Sequence, residues 1–124
     1  MDLYAELILD HYKNPRNFKE LEKADIVFED NNPLCGDKVK IFLKVENEQI
    51  KEVSFMGVGC AISIAASSMI SEIVMNKTYE DVFKIDKNQV EKMMGAELSV
   101  SRVKCAMLGL SAIKKAIKIL QNEK

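Results

Sequence analysis

Hydrophobic positions follow two different periods along the chain, and this change predicts a helix, then strands, then further helices. Near the N-terminus Leu3, Leu7 and Ile8 lie on one face of a predicted helix, which Pro15 ends. Three short segments rich in β-branched and aromatic residues then predict strands, at 26–28, 39–45 and 50–55. A polar segment of hairpin length, 46–49, separates the last two strands and predicts an antiparallel pair.

The second half of the chain has helical periods. The segment after Cys60 carries an apolar and small-residue stripe that predicts a long helix: Ile62, Ala65, Ala66, Met69, Ile70 and Ile73. Residues 78–94 predict one or two shorter helices, which Thr78 caps and Gly95 ends. Ser101 is the predicted cap of the last helix, whose apolar positions recur every three or four residues. A helix, a three-stranded sheet and then helices predict an α+β fold in two layers.

Composition and charge narrow the class of protein. The 124 residues fit a single domain, 1–124, and proportions of 48% hydrophobic and 30% charged residues are ordinary for a globular chain. No apolar run approaches the ~18 residues that a membrane span needs, and the acidic start lacks an export signal, so we expect a cytoplasmic protein. With 18 basic and 19 acidic residues, the formal charge of -1 favours neither nucleic acid nor a membrane as a partner.

Three widely spaced cysteines carry the candidate chemistry. An odd number of cysteines without a secretion signal argues against disulfides and predicts reduced thiols. A single cysteine is often only a small buried hydrophobe, but these surroundings favour ligands. Cys35 lies in a loop, Cys60 opens a helix after Gly-Val-Gly, and Cys105 is expected within about the first turn of the last helix. A helix start favours thiolate, the form that binds metal or attacks sulfur.

Asp37 adds a fourth candidate ligand beside the first cysteine. Gly36, between Cys35 and Asp37, lacks the Cβ that would restrict a bend bringing both side chains to one ion. Three thiolates and a carboxylate suit a tetrahedral Zn²⁺ site or a [2Fe-2S] cluster. Lys104, next to the third cysteine, is a possible auxiliary residue, although a solvated surface role is at least as simple an explanation. His11, the single histidine, is expected at the surface or a helix end and stays outside the site.

Four segments, in order over nearly the whole chain, resemble the IscU/SufU family, the NifU N-terminal type of iron-sulfur scaffold. They are Asp-His-Tyr-Lys-Asn-Pro-Arg-Asn at 10–17, Asn-Pro-Leu-Cys-Gly-Asp at 32–37, Gly-Val-Gly-Cys-Ala-Ile-Ser at 57–63 and Arg-Val-Lys-Cys-Ala at 102–106. The resemblance implies a three-stranded antiparallel sheet with helices packed on one face, which agrees with the hydrophobic pattern.

The resemblance also implies a site and its partners. The site for a [2Fe-2S] cluster or metal would be formed by Cys35, Asp37, Cys60 and Cys105. A cysteine desulfurase would deliver persulfide sulfur, an iron donor that the motifs do not identify would add iron, and the cluster would pass to apo iron-sulfur proteins.

Within that family the chain combines features of two branches. The segments 57–63 and 102–105 are similar to the SufU pattern, yet the insertion of SufU proteins between the second and third cysteines is missing. IscU proteins have a histidine where this chain has Lys104. Residues 98–102 replace the Leu-Pro-Pro-Val-Lys segment by which IscU recruits an Hsp70-type chaperone, so we do not expect chaperone-assisted transfer.

Two functions therefore stay open, and whether the protein is an enzyme depends on the choice. As a scaffold, the site would hold a transient [2Fe-2S] cluster, with Asp37 as the harder ligand that leaves one corner labile. As a zinc-dependent sulfurtransferase, it would use Zn²⁺ to fix the loop and Cys35 to accept persulfide. Cys35 is the predicted sulfur acceptor in both, and we favour the scaffold. A purely structural zinc site is the least expected, because Cys and His usually close such sites.

Overall fold

The order of helices and strands agrees with the sequence prediction in the computed structural model, which describes residues 3–33, 36–95 and 97–123. The elements are α1 (Leu3–Lys13), β1 (Ile26–Asn32), β2 (Asp37–Glu46), β3 (Gln49–Val58), α2 (Ala61–Val74), α3 (Tyr79–Lys84), α4 (Lys87–Met94) and α5 (Val100–Asn122). The three predicted strands are confirmed, and each is longer than predicted. Cys35 lies outside the described residues.

The three strands form an antiparallel sheet in the order β1-β2-β3. Asn47 and Glu48 alone connect β2 to β3, with φ of 53° and 60°, as in the type I′ turns that match the twist of a hairpin. The register places Asn32 opposite Asp37 and Lys38 opposite Val58. The end of β1, the start of β2 and the end of β3 therefore meet at one end of the sheet.

Helices α2 and α5 cover one face of the sheet, which confirms the two-layer α+β fold. Alternate residues of β2 point toward them, and Val39, Ile41 and Leu43 are buried there. Full burial of such a side chain contributes about 1.5–3 kcal/mol to stability. Helix α2 is buried on most of its surface, and the buried set includes Ser63, Ser67, Ser68 and Ser71. Ile73, predicted to be part of the apolar stripe, is instead 39% exposed.

The predicted packing face of α1 is confirmed only at Ile8, which is partly buried against the core. Leu3 and Leu7 are 77% and 39% exposed, whereas His11 is buried. The ring of Tyr4 lies against Gly95, where an added Cβ would be 2.0 Å from the ring. This orientation follows from tertiary contacts, because α1 packs on α2 and also places Tyr4 against Gly95 at the end of α4.

His11 lies in the last turn of α1, which agrees with the expected helix end, but the expected surface position is wrong. Its Nδ1 lies 2.7 Å from Ser68 Oγ in the middle of α2, and only 5% of the residue is exposed. The chain after α1 turns back along α2, since Arg16 N donates to Ser68 Oγ at 2.8 Å and Asn17 Nδ2 donates to Ser71 Oγ at 2.9 Å. The segment Asp10–Asn17 thus fastens the N-terminus to α2.

The predicted helix ends are confirmed except at the start of α5, and α1 ends at Lys13, just before Pro15. Thr78 caps α3 and Gly95 ends α4 in the left-handed conformation, with φ of 75°. Ser101 is not the cap of α5, because Ser99 accepts the N–H of Arg102 and the helix begins earlier than predicted. None of the helices in the described part of the chain is both long enough and apolar enough to cross a membrane.

Candidate metal centre

Three of the four predicted ligands converge at the end of the sheet. One carboxylate oxygen of Asp37 and the sulfurs of Cys60 and Cys105 all lie within 4.8 Å of one another. These residues belong to the start of β2, the residue before α2 and the second turn of α5. Within the described ranges, no other three His, Cys, Asp or Glu side chains gather in this way. The fold therefore builds the site from segments far apart in sequence.

Asp37 points inward because it is the first residue of β2 and shares the face of Val39. It is only 2% exposed, and a buried carboxylate requires hydrogen-bond donors. Cys60 N donates to Asp37 Oδ1 at 3.1 Å, and Cys60 Sγ lies 3.8 Å from Oδ2. One carboxylate oxygen is thus held by the backbone, while the other faces the sulfur.

Cys60 is the N-cap of α2, as the sequence predicts. Its Sγ accepts the N–H of Ser63 at 3.4 Å, the bond that a serine or aspartate side chain usually makes at this position. Ser63 was not among the predicted site residues, although a donor three residues after an N-cap is a regular pattern. This bond orients the sulfur toward Asp37, and the residue is exposed to solvent.

Cys105 reaches the site from α5 and is only 8% exposed. Because α5 begins at Val100, Cys105 lies in the second turn, beyond the first-turn N–H groups that the sequence argument used. Helices α2 and α5 approach closely where Gly109 meets Ser67, since a Cβ at Gly109 would lie 2.5 Å from Ser67 Oγ. Cys105 is one turn before Gly109, so this close approach brings its sulfur to the site.

The other two predicted residues are placed differently. Cys35 is not described, but its neighbour Gly36 donates its N–H to Asn32 O at 2.9 Å, with φ of 74°. Lys104 is exposed and lines a cavity of about 400 Å³ between the end of β1 and α5, with Pro33 and Lys115. Lys104 is therefore beside the site and not among the three converging ligands.

The ligand atoms suit a soft or borderline metal. Thiolate sulfur binds zinc and iron in clusters, and a carboxylate oxygen is an accepted but harder ligand. Two sulfurs and one oxygen from three elements leave room for a fourth ligand. These groups could hold Zn²⁺ or part of an iron-sulfur cluster.

Fold and site together define a small α+β protein with a cysteine and aspartate centre at one end of its sheet. The family model "NifU-like N terminal domain" matches residues 3–124. The chain therefore belongs to this family, and the resemblance drawn from the four motifs is confirmed.

Two curated relatives span most of the chain. The "Iron-sulfur cluster assembly scaffold protein IscU 1" of Archaeoglobus fulgidus is 37% identical over 115 residues, which cover 93% of this chain and 74% of the relative. The "Zinc-dependent sulfurtransferase SufU" of Bacillus subtilis is 33% identical over 132 residues, which cover 93% of this chain and 89% of the relative. That alignment is longer than the chain of 124 residues, so this relative has residues without a counterpart here.

The fold also occurs in a solved structure of a NifU-like N-terminal protein from Brucella abortus. The TM-score is 0.80 at 18% identity, and the match covers 98% of this chain and 96% of that chain. At this identity the comparison shows the fold alone, and it agrees with the three-stranded α+β architecture.

Proposed function

We propose that this chain is a scaffold for iron-sulfur cluster assembly that accepts sulfur from a cysteine desulfurase, holds a transient [2Fe-2S] cluster and passes it to apo-proteins. The observation that carries the proposal is the meeting of Asp37, Cys60 and Cys105 ligand atoms within 4.8 Å. Relatives in the same family are named as such scaffolds, including the one from Archaeoglobus fulgidus. The cluster is the cargo of the protein.

The fourth ligand in this proposal is Cys35. It lies two residues before Asp37 in the chain, and it would complete a set of three thiolates and one carboxylate. The carboxylate is the weak member, because cluster iron prefers thiolate. Asp37 Oδ1 already accepts the Cys60 N–H, so Oδ2 would make a single metal bond. One weak bond gives the cluster a corner at which an acceptor can start to remove it.

Cys35 is also the proposed sulfur acceptor. Its thiolate would attack the outer sulfur of the desulfurase persulfide, the old S–S bond would break, and the desulfurase cysteine would leave as a thiolate. The new persulfide on Cys35 would then need two electrons from an external thiol or electron-transfer protein to release sulfide for the cluster. Cys60 and Cys105 would hold iron during this step.

The alternative is a zinc-dependent sulfurtransferase, supported by the name of the relative from Bacillus subtilis. The same residues would then hold Zn²⁺, and Cys35 would leave the metal to accept persulfide without building a cluster. The scaffold is preferred, because the relative from Archaeoglobus fulgidus is more similar to this chain than the one from Bacillus subtilis, at 37% against 33% identity.

Anaerobic reconstitution separates the two functions. The protein is incubated with ferrous iron, cysteine, a desulfurase and dithiothreitol as the external thiol that reduces the persulfide, and then mixed with an apo-ferredoxin. The scaffold predicts the visible absorption of a [2Fe-2S] cluster on this chain and its transfer to the ferredoxin. A colourless zinc protein that accelerates the desulfurase but never holds a cluster would overturn the scaffold in favour of the transferase.

Asp37→Cys tests whether the weak carboxylate ligand speeds release of the cluster. Replacing the only oxygen ligand by a fourth sulfur should slow cluster transfer roughly tenfold, which corresponds to about 1.4 kcal/mol in the barrier. The cluster should still assemble, as its absorption reports. Transfer at the original rate from a fully loaded variant would contradict the role of Asp37 in release.

A further inference from the structure

We propose that Gly59 is a positioning residue for Asp37: the side chain it lacks leaves the space in which the carboxylate meets the Cys60 N–H. This inference rests on the proposed function only in treating Asp37 as a metal ligand. It assigns a role to a residue that binds no metal itself. Its consequence is that Asp37 presents one oxygen, Oδ2, at a fixed place beside the sulfurs.

A side chain at residue 59 would approach Asp37 Oδ1 more closely than real Cβ atoms do, and two further contacts would be tight. A Cβ at this position would lie 2.8 Å from Asp37 Oδ1, 3.0 Å from Asp37 Cγ and 3.2 Å from Ser63 Oγ. The backbone of Asp37 cannot retreat, because it is paired with Asn32 in the sheet. The carboxylate, which is buried and densely surrounded, would have to rotate away.

Backbone conformation does not explain this glycine. Among the described glycines, Gly36 and Gly95 have positive φ, of 74° and 75°, and Gly59 does not. A left-handed backbone is therefore not the reason for a glycine at residue 59. Gly57 has a different role. Its Cβ would lie 2.3 Å from the backbone oxygen of Lys38, so the pairing of β2 with β3 requires a glycine there. Only Gly59 makes space for the carboxylate.

Rotation of the carboxylate would disturb the metal centre in two ways. It would break the bond from Cys60 N to Oδ1, now 3.1 Å, and it would move Oδ2 away from its place 3.8 Å from Cys60 Sγ. The two sulfurs would remain where they are, because α2 and α5 hold them. Groups that orient a metal ligand typically change metal affinity by about 10–100-fold when they are lost.

A double-mutant cycle tests the role of Gly59 by the binding of metal ions, without cluster assembly. Zn²⁺ affinity is measured by competition with a chromophoric chelator for the original protein, Gly59→Ala, Asp37→Ala and the double variant, and Co²⁺ absorption reports the ligands. We expect Gly59→Ala to lower affinity by roughly 10–100-fold. In the Asp37→Ala background the same change should cost less than about twofold, because no carboxylate remains to be displaced. Equal losses in both backgrounds would overturn the proposal.

The Co²⁺ spectrum adds a readout that a purely structural role would not move. Gly59→Ala should shift the ligand-field bands toward those of Asp37→Ala, since both variants lose the same oxygen from the metal. A spectrum unchanged from that of the original protein would contradict the displacement of Asp37.

Gly57→Ala is the matched control. It should lower the melting temperature by disturbing the sheet, and any effect that it has on affinity should persist when Asp37 is alanine. If Gly59→Ala fails to fold, the double variant should recover folding because the clash is gone, and failure of both would count against the proposal. If Asp37→Ala keeps full Zn²⁺ affinity, Asp37 is not a metal ligand. If Asp37→Ala loses affinity and Gly59→Ala does not, only the role of Gly59 is wrong.

Discussion

Helix α2 carries two polar clusters that are each partly buried and that differ in chemistry. The metal centre at its N-terminal end consists of Asp37, Cys60 and Cys105. The second, which we name the docking cluster, lies in its middle and C-terminal turns and consists of His11, Arg16, Asn17, Ser68 and Ser71. Both clusters join α2 to a different part of the chain, and both contain residues from the family motifs.

The docking cluster consists of paired donors and acceptors. Ser68 Oγ accepts the N–H of Arg16 at 2.8 Å and shares a hydrogen bond of 2.7 Å with His11 Nδ1. Ser71 Oγ accepts from Asn17 Nδ2 at 2.9 Å and donates to Ser68 O at 2.6 Å. Such a matched set stabilises one arrangement of α1 on α2.

Comparing the two clusters shows which buried polar groups indicate a metal site. Burial alone does not, because buried polar groups are normally hydrogen-bonded whatever their role. In the metal centre, by contrast, the atoms that meet are two sulfurs and a carboxylate oxygen, which bind metals better than they bind one another. Substitutions in the two clusters should therefore separate metal affinity from stability.

Cys60→Ala should have the largest effect on metal binding. It removes a metal ligand, so Zn²⁺ affinity should fall by more than the roughly 10–100-fold that follows loss of a group that only orients a ligand. It also removes the N-cap acceptor of Ser63 N, at a cost of about 1 kcal/mol in folding free energy. Chelator competition and urea unfolding measure the two effects.

Cys60→Ser is the matched control for that experiment. Its hydroxyl can accept the Ser63 N–H, so stability should recover while metal affinity stays low. Original Zn²⁺ affinity in either variant would remove Cys60 from the metal centre.

Gly109→Ala should come next, because it acts between the two clusters. Its Cβ would meet Ser67 Oγ at 2.5 Å and force α2 and α5 apart, at a cost of about 1–3 kcal/mol in folding free energy. The sulfur of Cys105, one turn away, should then move from Cys60, and Zn²⁺ affinity should fall with stability.

Adding Ser67→Ala should recover part of both losses, since it removes the oxygen nearest to the new methyl group. Full stability and affinity in Gly109→Ala would show that the helices do not depend on this close approach. Urea unfolding and chelator competition on the same samples provide both measurements.

Much of the fold follows from local sequence. The alternation in β2 and β3 and the short polar turn between them are sufficient to predict a hairpin, and the cap at Thr78 and stop at Gly95 are equally local. The position of His11 was not predictable, because its burial depends on Ser68, 57 residues away. Ser99 and Ser101 are chemically alike, so only the three-dimensional course of the chain, with Leu98 N bonded to Glu91, decides which one caps α5.

Part of the candidate site, too, is predictable from the sequence and part is not. Residue types and nearby glycines predict Asp37 and Cys60 as ligand candidates, and an expected helix start predicts Cys105. The structure brings the ligand atoms of all three together. Cys35 as ligand and acceptor stays a prediction. The role of Gly59 depends on a clearance of a few tenths of an ångström between two segments, which no spacing in the sequence encodes.

Ser68→Ala should destabilise the protein without weakening metal binding. It leaves Nδ1 of His11 and the N–H of Arg16 without their shared partner, and a buried unsatisfied group costs about 1–3 kcal/mol. Urea unfolding should show this loss, whereas chelator competition on the folded protein should give the original Zn²⁺ affinity. A fall in affinity as large as in Cys60→Ala would mean that the two clusters are one functional unit.

The smallest effect concerns the protonation of His11. Burial lowers the pKa of His11 from its ordinary value of 6.5, and Arg16 lowers it further, while Glu72 and Asp10 act in the opposite direction. The folded protein therefore binds fewer protons than the unfolded chain below pH 6.5, so its stability falls as the pH decreases from about 6.5 toward the lowered pKa of His11.

The measurement is urea unfolding of metal-free protein across this pH range, in which protonation should favour release of α1 from α2. His11→Gln keeps a side chain that can donate to or accept from Ser68 but does not titrate, so the difference between the two profiles isolates the histidine. Because the metal centre contains no atom of His11, Zn²⁺ affinity should respond equally to pH in both proteins. If the stability of the original protein and of His11→Gln depends on pH in the same way, the docking cluster tolerates a charged histidine ring. The two clusters would then differ only in the chemistry of their ligand atoms.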